Sequence, residues 1–142
     1  MGATTSGVRV RGYSHVAVSV TDLDAARAFY RELFGFTELP RPDFTGAPGA
    51  WLAVGDLQLH LVASPEMPVL GRSFPHFALH VATEDFDATV DALRSAGVAF
   101  LGEPSTREDF GRPVRAAFVA DPSGNVVELT DVGPLSPGPQ PG

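Results

Sequence analysis

The sequence predicts an α+β fold made of two βαβββ modules in one chain. Three observations predict it. Strand-like alternation and helix-like periodicity succeed one another twice along the chain. The order of elements in the first half returns in the second. Matching residues also recur at matching places: His15-Val-Ala-Val-Ser-Val with His76-Phe-Ala-Leu-His-Val, Asp22-Leu-Asp-Ala with Asp85-Phe-Asp-Ala, Gly35 with Gly97, and Leu59-His60-Leu61 with Val127-Glu128-Leu129.

In the first half, Tyr13–Val20 alternates and is β-branched, with His15, Ala17 and Ser19 on one face and Val16, Val18 and Val20 on the other. A helix is expected from Asp22 to Leu33. Thr21 is its candidate N-cap, and Asp22 and Asp24 lie in its first turn. Leu23, Ala26, Tyr30 and Leu33 give it one apolar stripe, and Gly35 is placed to end it. Extended pieces follow at 36–39, 50–54 and 57–62, the last two joined by the turn signal Gly55-Asp56.

The second half repeats this plan. Residues 74–81 alternate, with His76, Ala78 and His80 on one face. A helix over 85–95 carries Phe86, Val90 and Leu93 on one side and ends at Gly97. Extended pieces are expected at 99–101, 115–120 and 126–131, the last two joined by the turn Asp121-Pro122-Ser123-Gly124-Asn125, to which composition assigns no chemistry. The stretches 41–49, 64–73 and 105–113 read as rim loops, where substrate choice would be set. Residues 1–8 and the Pro/Gly-rich tail 133–142 read as flexible ends.

Composition excludes much chemistry. All ten basic residues among the 142 are Arg, and there is neither Lys nor Cys. A lysine Schiff base, a thiol nucleophile, a disulfide and a cysteine metal site are therefore ruled out. The formal charge of −7 argues against a nucleic-acid partner, since a phosphate backbone attracts a basic stripe. No apolar run has the length of a membrane span, and the first residues lack the pattern of a secretory signal, so a cytoplasmic location is expected.

The repeat gives its polar residues meaning. His15 and His76 hold the same place in the first strand of each half, and His60 and Glu128 the same place in the last strand. His60 and Glu128 each have apolar neighbours that pack inward, so alternation turns both to the other face of the sheet. A Glu between Val and Leu is costly to bury without a cationic partner. If the halves pack with approximate twofold symmetry, the four residues converge. Three imidazoles and a carboxylate then offer a site for a divalent ion: Zn, Ni, Fe, Co or Mn. Weaker candidates line the substrate space: Trp51 as an apolar wall, His80 on the His76 face, and Arg115 for an anionic group.

These motifs carry a resemblance. The run from His15 through Asp22-Leu-Asp-Ala-Ala-Arg-Ala-Phe-Tyr-Arg-Glu-Leu-Phe-Gly-Phe, then His76-Phe-Ala-Leu-His-Val, then Asp121-Pro-Ser-Gly-Asn-Val-Val-Glu-Leu, resembles the vicinal oxygen chelate superfamily. That superfamily includes glyoxalase I, fosfomycin-resistance enzymes, bleomycin-binding proteins, methylmalonyl-CoA epimerase and extradiol dioxygenases. The resemblance implies a glyoxalase-like domain over 9–132, with modules 9–66 and 72–132 whose mixed sheets curl into a cup. It places the metal ligands at His15, His60, His76 and Glu128, and implies a homodimer. Glyoxalase I commonly has Glu, and the epimerase Gln, where this chain has His60. The implied activity is metal-dependent, with two neighbouring oxygens of a small substrate chelated by the ion and a proton moved by Glu128 or His60. A glyoxalase-like lyase or isomerase is the first expectation. An extradiol-type dioxygenase using Fe(II) or Mn(II) on His15, His76 and Glu128 is the second. A small-molecule binding or antibiotic-resistance protein is the third.

Overall fold

The computed structural model describes residues 7, 9, 13–42, 46–67, 75–108 and 111–133. Nearly all of both chain ends, and parts of the three expected rim loops, lie outside the described residues. Among the described residues nine strands form two sheets. β1 (His15–Val20), β2 (Thr37–Leu39), β3 (Gly49–Val54) and β4 (Leu57–Ala63) build the first, in the order β1-β4-β3-β2. β5 (His76–His80), β6 (Ala99–Phe100), β8 (Val114–Ala120) and β9 (Val126–Thr130) build the second, in the order β5-β9-β8-β6, with β7 (Ser105–Arg107) pairing β8. In each sheet the first strand lies parallel to the last, and the remaining pairs are antiparallel. The fold is α+β, as the repeat predicts.

The helices differ in detail from the expectation. α1 (Leu23–Arg27) is N-capped by Asp22 rather than by Thr21, because the Asp22 carboxylate accepts a hydrogen bond from the Ala25 N–H at 3.0 Å. The backbone N–H of Thr21 instead donates to Ser123 Oγ at 2.9 Å. After Arg27 the helix continues as a π-helical stretch, Ala28–Leu33, with the Phe34 N–H bonded to the Phe29 carbonyl five residues back. Phe29, three residues after Ala26 and so on the same helix face, is buried at 7% exposure, whereas Leu33 at the end of the wider turn is 38% exposed, so the expected stripe gains Phe29 and loses Leu33. Gly35 takes a φ of +77° beyond the last turn, a conformation that L side chains rarely adopt. α2 (Phe86–Ser95), preceded by a short 3-10 turn at Thr83–Asp85, buries Phe86, Val90 and Leu93 as its periodicity predicts.

One core joins the halves. Val20, Ala50, Leu52, Leu59 and Leu61 of the first sheet cluster with Ala26, Phe29 and Tyr30 of the helix and with Val119 and Val127 of the second sheet. A second cluster sets Phe86, Val90 and Leu93 of α2 against Ala117 and Leu129. The apolar faces of both sheets are thus turned toward shared packing. Strand alternation puts the opposite set on the reverse faces: His15, Gln58, His60 and Trp51 on one sheet, His76, Phe118 and Glu128 on the other.

Candidate metal centre

β1 and β4 run parallel with Ala17 opposite His60, so His15 and His60 share a face, and β3 adds Trp51 directly opposite His60. The three rings stack. His15 and His60 centroids are 4.0 Å apart at 15°, and Trp51 and His60 are 4.3 Å apart at 5°. His60 Nε2 hydrogen-bonds Gln58 Oε1 at 2.8 Å, and His15 Nδ1 meets Ser14 Oγ at 3.1 Å. Each imidazole is therefore oriented through one ring nitrogen, the usual way a ligating histidine presents its other. Desolvation lowers the pKa of His60 from the ordinary histidine value, and the neighbouring His15 and Arg41 lower it further. His60 is thereby biased toward the neutral form that binds metal.

On the second sheet, β5 and β9 run parallel with Ala78 opposite Glu128, and β8 puts Phe118 on the other side of Glu128. His76 Nε2 lies 3.0 Å from Glu128 Oε1, and Phe118 meets the His76 ring edge-on at 5.2 Å. Both side chains are half-buried at 19% exposure. A spacing of 3.0 Å suits two donor atoms each about 2.0–2.2 Å from one divalent ion. The donor types, three imidazoles and one carboxylate, also fit such an ion.

The structure makes two pairs of the four expected ligands, not one quartet. Among the described residues no group of three or more His, Cys, Asp or Glu is arranged to hold a metal ion. The weaker candidates separate. Trp51 stands in the ring stack. His80 is exposed at the far end of β5, its ring against Gly133, and lines a cavity of about 550 Å³ with Phe34, Phe36 and Leu57. Arg115 lies on the helix side of β8. There it bridges to Asp87 at 3.0 Å and covers the Phe86 ring at 4.6 Å, away from His76 and Glu128. Sequence reasoning missed Gln58 and Phe118. Gln58 sits two residues before His60 and so shares its face, and counting outward from the turn at 121–125 pairs Phe118 with Glu128.

Comparison with known proteins identifies the family. Residues 12–129 match the Glyoxalase/Bleomycin resistance protein/Dioxygenase superfamily. The chain belongs to this superfamily. It is 31% identical over 132 residues to a lactoylglutathione lyase of Arabidopsis thaliana, a match covering 87% of this chain and 45% of the relative. The chain thus spans less than half the length of that plant enzyme. It is 29% identical over 123 residues to the glutathione transferase FosA of Serratia marcescens, covering 84% of this chain and 80% of the relative. In fold it resembles a variant of the fosfomycin resistance protein FosX from Listeria monocytogenes, solved with Mn(II) and 1S,2S-dihydroxypropylphosphonic acid. That match has a TM-score of 0.72 at 19% identity and covers 85% of this chain and 92% of the other. No helix among the described residues is long and apolar enough to cross a membrane.

Proposed function

We propose that the chain is a metal-dependent lyase or isomerase of the glyoxalase type, acting on a small oxygen-rich molecule. His15, His60, His76 and Glu128 would hold one divalent ion, with each complete set drawn from two copies of the chain. The observation that carries this reading is the pairing itself: His15 with His60 and His76 with Glu128, each on the sheet face turned from the shared core. A C2 homodimer that set the first sheet of one copy against the second sheet of its partner would complete two equivalent sites. The Mn(II) named with the FosX variant supports a resident ion.

When bound, such an ion supplies Lewis-acid stabilisation of negative charge developing on chelated substrate oxygens. The chain's own groups then divide the remaining work. Glu128, whose carboxylate meets His76 Nε2 at 3.0 Å, would take and return a substrate proton. His60 is the second candidate base, since its lowered pKa favours the free base near neutral pH. Trp51 and Phe118 give the two half-sites apolar walls that keep water from the proton being moved.

A second reading, thiol transfer to a small electrophile, is favoured by the Serratia glutathione transferase, which this chain covers over most of its length. One assay series separates the two. Protein reconstituted with Zn, Ni, Co or Mn is given a hemithioacetal of glutathione, then a phosphonate epoxide with a thiol. Isomerisation of the first supports the lyase, and consumption of the second supports the transferase. Failure to bind any of these ions would sink both.

A further inference from the structure

The turn at 121–125 does more than reverse the chain. Asp121 is buried at 4% exposure, and its carboxylate accepts four hydrogen bonds: from Tyr30 O–H at 2.8 Å, Asn125 Nδ2 at 2.9 Å, Ser123 N–H at 2.9 Å and Asn125 N–H at 2.8 Å. Four acceptor sites are the full capacity of a carboxylate. Tyr30 is wholly buried, and its place in the π-helical stretch directs the phenol across to the other half of the chain. Burial, and then the neighbouring Asp121 charge, raise the Tyr30 pKa, so the phenol keeps its proton and remains the donor. The second amide proton of Asn125 goes to the Ser19 carbonyl of β1 at 2.8 Å, and Thr21 N–H goes to Ser123 Oγ at 2.9 Å.

The ends of this network lie on the strands that carry the candidate ligands. Ser19 belongs to β1, which begins at His15. Asn125 directly precedes Val126, which pairs with His76, and β9 then reaches Glu128. We infer that the Tyr30–Asp121–Asn125 network is an inter-module latch, a positioning device that fixes the angle between the strand bearing His15 and the strand bearing Glu128. The link to metal binding rests on the proposed site; the latch itself does not. A freely rocking pair of modules would present its two half-sites at varying angles, and a second copy would not match both. Tyr30, Asp121 and Asn125 are thus positioning residues that touch neither ion nor substrate.

The chain has no cysteine, so two introduced thiols label it uniquely. Spin labels at Asp56→Cys and Asp91→Cys, both exposed and in different halves, report the inter-module distance by pulsed electron resonance, with labelled chains diluted in unlabelled ones. The latch predicts a narrow distribution that broadens or shifts in Tyr30→Phe and in Asp121→Asn. Val90→Ala, a packing defect within α2, should lower stability without moving it. An unchanged distribution in both latch variants, or an equal change in Val90→Ala, would overturn the proposal. Co(II) titration of the same variants is expected to show affinity weaker by about three- to tenfold, the scale of coupling through a packed network. If the distances respond and the parent protein binds no Co(II), the metal reading fails and the latch stands.

Discussion

His60 sits between two rings, and this placement sets its titration. Its pKa in the folded chain lies below the ordinary 6.5. Between those two values the unfolded chain binds a proton that the folded chain does not, so stability falls as pH drops through about 6.5 and is regained above it. Urea midpoints of the metal-free protein at about pH 8 and about pH 5.5 should therefore differ more for the parent than for His60→Gln; equal differences would refute the burial argument. Tyr30→Phe removes one bond to a buried carboxylate and should cost about 1.5–3 kcal/mol in urea unfolding, with Phe filling the same space. Sequence reasoning reached His15, His60, His76 and Glu128 through the repeat. It read the Asp121 turn correctly as a turn, yet the bond from Tyr30 spans 91 positions, and no local pattern reports it.

At the scale of elements, period-two alternation marks the strands that carry the candidate ligands, with Val on β1 and Leu or Phe on β4 and β5 between the polar positions. The π-helical stretch escaped it. A pattern of i, i+3 and i+4 apolar positions reads as α-helix whether or not the backbone later widens to i+5 bonding. The consequence is measurable by mutation: Phe29→Ala should cost about 3–5 kcal/mol, whereas Leu33→Ala, at an exposed site, should cost under about 1 kcal/mol. The reverse order would contradict the burial of Phe29 and the exposure of Leu33. β7 was hidden for a different reason, since Ser-Thr-Arg is polar and exposed on both faces, and only pairing with β8 makes it a strand. At the start of β3, a Cβ on Gly49 would overlap the Leu61 carbonyl oxygen and press on the Arg41 guanidinium. Gly49→Ala should therefore cost about 1–3 kcal/mol by thermal or urea unfolding.

At the scale of the molecule, the repeat supplies two modules and the face of each that carries the candidate ligands, but periodicity says nothing about how two sheets face each other. That is fixed by long-range packing of Tyr30, Val119 and Val127 around one core. The two candidate ligand pairs stay apart within one chain, so the proposed metal site is shared between two chains. Its most direct test co-expresses two differently tagged chains, one with His15→Ala and His60→Ala, the other with His76→Ala and Glu128→Gln, and measures metal in the purified mixed dimer. Each chain alone should bind none. Sites shared between copies predict that the mixed dimer regains a single ion, because one of its two sites keeps all four ligands. A mixed dimer without metal, made from a parent that binds it, would contradict the shared site.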